Sequence, residues 1–231
     1  MAQSRGVIQR AYKSVLSSLA PVVVPLFHLI WYNHKDSWLK NTFLGYPIWQ
    51  NPLDLQLYQE LIFRLKPSFI LQTGIAGGGS LLYYASMLDI MDAPADVLVI
   101  GVDIEFTDSA KTLKHPRIRM IIGGSVDPVV VRQIESLTAG KTGLVILDSD
   151  HSQAHVAKEL AIYQRFVGRD GYLIVEDTNV NGHPVQRHHG PGPLEATNDF
   201  LATTKAFVRD DALWQRNLYS HHQYGWLKRV A

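Results

Sequence analysis

The 231-residue chain has no cysteine, which excludes disulfides, thiolate metal sites and a cysteine nucleophile together and leaves carboxylates and ten histidines to carry any site chemistry. It also lacks an excess of either charge. Its 22 Lys and Arg against 21 Asp and Glu leave a net +1, so there is no basic field for nucleic acid as the main partner. Internal repeats, low-complexity tracts and a second-domain linker are absent from the sequence. Long apolar runs are scarce: Leu19 to Tyr32 is fourteen residues broken by Pro21, Pro25 and His28, short of the roughly 20 needed to span a bilayer. No small-residue cleavage site follows it, and the Trp31-Tyr32 flank does not suit a signal peptide, so no integral membrane span and a cytoplasmic location are expected.

What remains is a globular composition, 46% hydrophobic and 19% charged, in a chain long enough for one sizeable core. A weak basic helix is expected over residues 1–18, followed by an apolar arm that packs on a neighbouring subunit or roofs a pocket. Association with a lipid surface is the lesser alternative. Residues 37–52 are rich in aromatics (Trp38, Phe43, Tyr46, Trp49) and poor in periodicity, as in a loop with anchors that can act as a lid. The arm and lid segment is expected over 1–53, and the main domain over 54–231.

The main domain opens on a helix with Leu57, Tyr58, Leu61, Ile62 and Leu65 at helical spacing, capped by Asp54 and stopped by Pro67. The stretch that organises the rest is Phe69 to Ser80. An apolar strand runs into four glycines within six residues, and a helical pattern resumes at Leu81, Leu82, Ala85 and Leu88. Such a turn lets the backbone take positive φ or approach a ligand, and the helix behind it points free N–H groups at whatever lies above. Further strands follow at Val97 to Val102, Ile118 to Ile122, Leu144 to Leu147 and Tyr172 to Val175, each separated by a helical pattern. The last strand, Tyr224 to Val230, is expected at an edge. The alternation predicts an α/β fold, a doubly wound and mostly parallel sheet with an antiparallel C-terminal edge strand.

In such sheets ligands bind beyond the carboxyl ends of the strands. The glycine turn, Asp103, Gly124-Ser125, Asp148 to His151 and Glu176-Asp177 all fall at strand ends of the same hand. Asp103 lies 24 residues past Gly79, near the spacing at which an acid binds ribose hydroxyls. Stacked carboxylates repel without a counter-charge, and a divalent cation supplies one. Asp148, Glu176 and Asp177 offer the hard oxygens that Mg²⁺, Mn²⁺ or Ca²⁺ accept, with Asp150 as a competing ligand. Helix capping or pairing with Arg and Lys is the plainer account of these acids. His151, three residues beyond Asp148, can face the same pocket as a general base. The loop Asn179 to Pro193 is long enough for a lid, and His188-His189 within it makes only a weak case for zinc.

With these strand ends in place, the chain resembles the cephalosporin hydroxylase-like family of class I S-adenosylmethionine-dependent methyltransferases, which includes rhamnosyl and macrolide-sugar O-methyltransferases. The resemblance covers about Asn41 to Arg229. It rests on NPLDL (Asn51 to Leu55), TGIAGGGS (Thr73 to Ser80), GVDI (Gly101 to Ile104), LDSDH (Leu147 to His151), VEDT (Val175 to Thr178) and GPGPLEA (Gly190 to Ala196). It implies that Gln72, Thr73, Gly74, Ala76, Gly79 and Ser80 hold the methionine part of the cofactor, that Asp103 and Ile104 meet its ribose, and that Gly124 and Ser125 meet its adenine. Asp148, Glu176 and Asp177 match the family's Mg²⁺ ligands, Asp148 also bordering the cofactor, and His151 matches its general base. Gln72 stands where the family usually has Glu, which removes a charge from the cofactor's side of the site.

The expected activity is therefore Mg²⁺- or Mn²⁺-dependent transfer of a methyl group from S-adenosylmethionine to a hydroxyl of a glycoside or other polyhydroxylated natural product, by a homo-oligomer. A repurposed small-molecule binder and a NAD-dependent oxidoreductase are the alternatives. The glycine pattern fits the dinucleotide fingerprint poorly.

Overall fold

A computed structural model describes residues 2–231, with side chains from residue 9 on except residue 11. In chain order the elements are α1 (Ala2–Asn33), the short hairpin β1 (Thr42–Phe43) and β2 (Tyr46–Pro47), α2 (Pro52–Leu65), β3 (Phe69–Thr73), α3 (Gly79–Ile90), β4 (Leu98–Asp103), α4 (Asp108–Thr112) and β5 (Ile118–Ile122). Then come α5 (Pro128–Thr138), β6 (Leu144–Leu147), α6 (Gln153–Tyr163), β7 (Tyr172–Val175), α7 (Pro193–Thr203), β8 (Phe207–Arg209), α8 (Asp211–Gln215) and β9 (Trp226–Arg229).

Seven strands form one sheet in the order β5-β4-β3-β6-β7-β9-β8. The five from β5 to β7 are parallel, while β9 runs antiparallel to β7 and β8 antiparallel to β9. The chain leaves β3 outward through β4 to β5, then returns to β6 on the other side of β3. The switch point between β3 and β6 opens the crevice in which such sheets bind ligands. The expected edge strand is present at β9, but β8 lies outside it: three residues with one buried carry too short an alternation to stand out in sequence.

β3 is buried at all five positions, as a central parallel strand covered on both faces must be. Its alternation divides the core. Ile70 packs with Leu57, Leu61 and Leu81 of α2 and α3 on one side. Leu71 packs with Ile134, Leu160 and Tyr163 of α5 and α6 on the other.

Local chemistry starts the helices. Asn51 accepts the Leu53 N–H at 3.1 Å ahead of Pro52, and Asp127 accepts the Val129 N–H at 2.7 Å ahead of Pro128. Asp54 is thus not the cap expected of it. It is fully buried and accepts the His221 N–H at 2.8 Å, which ties α2 to the C-terminal segment.

The N-terminus departs further from expectation. In place of a basic helix and a separate arm, α1 is one 32-residue helix that runs through Pro21 and Pro25. Its stretch Tyr12–Asn33 is 22 residues, longer than the fourteen-residue run read from the sequence and long and apolar enough to cross a membrane by length and composition alone. Its last turns are packed: Asn179 Nδ2 donates to buried His28 Nε2 at 2.9 Å, and the Phe27 ring meets the edge of Tyr219.

Candidate active site

A cavity of about 560 Å³ opens over the switch point, within the range of small-molecule sites. Its floor is the end of β3 with Gln72 and Gly74. Asp103 and Ile104 flank it from β4, Gly124 and Ser125 from the turn after β5, and Asp148 to His151 from the turn after β6. Its rim is Trp38, Pro47, Ile48, Trp49 and Gln50, so the aromatic segment ahead of α2 does reach the site. Asp103, Asp148, Asp150 and Asp177 all line it, and among the described residues no Lys or Arg does.

The turn after β3 is shaped by close packing. Gly74 has φ +73°, and a Cβ on it would lie 1.8 Å from the Asp148 carbonyl oxygen, so glycine there lets β3 and β6 close up under the cavity. A Cβ on Gly79 would instead strike the Pro47 carbonyl oxygen at 2.5 Å, so that glycine seats the hairpin β1–β2. Asp103 Oδ2 accepts the Ile75 and Ala76 N–H groups at 2.9 and 3.3 Å, fixing the turn from across the cleft. Of the residues expected around the cofactor, Gln72, Gly74, Ala76, Ser80, Asp103, Ile104, Gly124, Ser125 and Asp148 line the cavity. Thr73 and Gly79 do not; buried Thr73 sits beneath Asp148, its carbonyl accepting the Asp148 N–H at 3.0 Å.

Asp148, His151 and Asp177 form one group whose ligand atoms lie within 4.8 Å of one another. His151 Nε2 is 3.5 Å from Asp148 Oδ1 and its Nδ1 is 3.4 Å from Asp177 Oδ2. Glu176 stands behind the group. Tyr58 donates its hydroxyl to Oε1 at 2.5 Å and Gln50 Nε2 donates to Oε2 at 2.6 Å. Burial, followed by the charge of Asp177, pushes the Asp148 carboxyl well above its usual range, and burial with the charge of Asp148 does the same to Glu176. Asp150 lines the cavity but does not join the group: its Oδ1 accepts the Ser152 N–H at 2.7 Å, which holds its carboxyl below the usual range and starts α6. His188 and His189 do not join the group.

Several supporting residues were not legible in the sequence. His222 is buried, and its Nδ1 accepts the Asp177 N–H at 3.1 Å, which puts the ring proton on Nε2, between Asp54 Oδ2 at 3.7 Å and Glu176 Oε2 at 3.6 Å. Burial holds this ring well below its ordinary pKa, so it stays neutral. On the far side, His155 Nε2 lies 3.0 Å from Ser125 Oγ, and Tyr163 donates its hydroxyl to the Ser125 carbonyl at 2.5 Å. None of the loop Asn179 to Pro193 lines the cavity. Its Asn179 and Gln186 bind the end of α1 instead, through His28 and Tyr32.

The donor set fits a hard divalent cation. Carboxyls with raised pKa values, in a cavity wall with no Lys or Arg among the described residues, call for positive charge from outside the chain. The cavity also fits a cationic organic ligand, since Gln72 presents a buried Oε1 without a partner while its Nε2 is engaged by the Gly74 carbonyl at 2.7 Å.

Comparison with known proteins agrees with this geometry. The family model described as Rhamnosyl O-methyltransferase/CmcI matches residues 35–230. A rhamnosyl O-methyltransferase of Mycobacterium tuberculosis is 32% identical over 198 residues, covering 85% of this chain and 78% of the relative. One from Mycobacterium leprae is 36% identical over 168 residues, 72% of each. A solved structure of CmcI with Mg and SAM superposes with a TM-score of 0.64 at 19% identity, covering 84% of this chain and 78% of that one, which shows the same fold.

Proposed function

This chain belongs to the Rhamnosyl O-methyltransferase/CmcI family, and on that premise we propose that it moves the methyl group of S-adenosylmethionine to a hydroxyl of a sugar unit or polyhydroxylated natural product, with Mg²⁺ or Mn²⁺ as second cofactor. The observation that carries this reading is the carboxylate group at the β3/β6 switch point, in a cavity wall without Lys or Arg among the described residues. When bound, the cofactor supplies an electrophilic methyl group, and the metal supplies the charge that lowers the pKa of the acceptor hydroxyl.

The chain's own residues do the rest. Asp148 and Asp177 hold the metal, with Glu176 locked beside them by Tyr58 and Gln50. Gln72 Oε1 accepts from the cofactor's ammonium, and Asp103 keeps the glycine turn in place beneath it. His151 stands between Asp177 and Asp148, its Nδ1 toward the first and its Nε2 toward the second, and this imidazole takes the proton from the acceptor hydroxyl. Trp38, Ile48 and Trp49 cover the rim and exclude water from the reacting centre.

Residues 54–231 are the methyltransferase domain in this reading, and residues 1–53 the arm and the rim segment. A homo-oligomer in the cytoplasm is proposed with it, to be checked by light scattering and fractionation. The reaction is tested by incubating the protein with methyl-labelled S-adenosylmethionine and a panel of rhamnosides and other glycosides, with Mg²⁺ or with EDTA. Label should enter a glycoside only with the metal. Transfer that persists unchanged in EDTA would rule out the metal role.

A further inference from the structure

We propose that α1 is a membrane-surface anchor whose apolar stripe beds into an anionic lipid bilayer. Tyr12, Leu16, Leu19, Val23, Leu26 and Ile30 recur at alternating steps of four and three, so they line one face of the helix. Each is 49–63 % exposed, and only 6 % of the surrounding apolar window is buried. Val15 and Val22 widen the stripe and are exposed as well. An apolar face of this length is not left to water without a partner.

The opposite face carries Arg10, Lys13, Ser14 and Ser17, also at helical spacing and exposed. Residues 1–35 hold four basic side chains and no acid, the first being Asp36. This is the composition of a helix that lies in the headgroup region with cations on its polar side. A second copy of the chain fits less well. Side-by-side helices would bring like charges together with no acid to offset them, and the flanks of the stripe are apolar where a two-helix seam carries pairing charges.

The geometry favours lying in the surface over crossing it. The inner end is held on the domain by His28 and Phe27, leaving Tyr12 to Leu26 free. Those residues extend about 22 Å at 1.5 Å each, short of about 30 Å of hydrocarbon. The same end of α1 leads to the cavity, since Trp38 of the rim donates its ring N–H to the Tyr32 carbonyl at 2.9 Å. A bilayer-bound α1 therefore holds the cavity rim beside the lipid.

The test is co-sedimentation of the purified full chain with phosphatidylcholine vesicles, with and without about 30 % phosphatidylglycerol. The native chain should pellet with the anionic vesicles and much less with the neutral ones. Lys13→Glu should weaken binding about tenfold. Leu19→Ser/Leu26→Ser should remain in the supernatant with an unchanged circular dichroism spectrum, because both side chains are exposed. The proposal is overturned if the native chain stays in solution with both compositions, if it binds both equally, or if the double variant still pellets. It is equally overturned if light scattering shows a stripe-dependent oligomer that ignores vesicles.

Discussion

Glu176 is buried and Asp148 half-buried, and both carboxyls are pushed up, Asp148 by desolvation and the charge of Asp177, Glu176 by burial and the charge of Asp148, so at neutral pH the metal-free fold carries them at a cost. Asp148→Asn removes one of these anions at nearly constant shape. In EDTA the variant should melt higher than the native chain by about 2–4 °C for each kcal/mol relieved. With Mg²⁺ the order reverses: the native chain gains stability from the ion and the variant does not, while methyl transfer is lost. Differential scanning calorimetry in the two buffers reads both effects, and a variant that melts lower in EDTA contradicts the account.

Gln72 gives a second residue-level prediction. Its Nε2 lies 3.5 Å from Asp148 Oδ2, so Gln72→Glu places another anion at the cavity floor. With Mg²⁺ present, affinity for S-adenosylmethionine should rise severalfold through attraction to its ammonium group. Equilibrium dialysis measures this, and weaker binding would show that the floor faces something other than a cation. The sequence located Asp148, His151 and Asp177 because strand ends of one hand meet at one edge of a parallel sheet. It could not reveal Gln50 and Tyr58, which meet Glu176 across 126 and 118 residues and leave no local pattern. His222 was hidden for the same reason, as was the direction in which Asp150 points.

At the scale of elements, α1 was the least legible. Pro21 and Pro25 each remove an N–H donor and ordinarily argue for a break, yet the helix continues through them. Its attachment makes a prediction of its own. Burial holds His28 down to about 4, below its ordinary 6.5, so the folded chain keeps the ring neutral where the unfolded chain protonates it. As pH falls from about 6.5 to about 4, the unfolded state binds a proton that the native state does not, and stability declines across that window. His221, held down to about 3 by burial and the nearby His28, acts in the same sense. Urea midpoints at pH 7 and pH 5 should differ in the native chain, and His28→Gln, which retains a hydrogen-bonding group, should reduce the difference. An equal pH dependence in both would remove His28 from the explanation.

At the scale of the whole molecule, the doubly wound sheet was legible because each parallel strand is a short apolar run set between helical patterns. The strand order was less so: β8 is brief, and its place outside β9 depends on pairing that the sequence does not advertise. The order β5-β4-β3-β6-β7 makes the switch point, and the switch point brings the glycine turn and the carboxylates to one cavity. A methyl donor and a metal held together at that crevice are the central claim. Calorimetric titration of the purified chain with S-adenosylhomocysteine, in Mg²⁺ and again in EDTA, tests it without knowledge of the acceptor. The account predicts micromolar binding in Mg²⁺, about −8 kcal/mol; absence of binding in both buffers would contradict it.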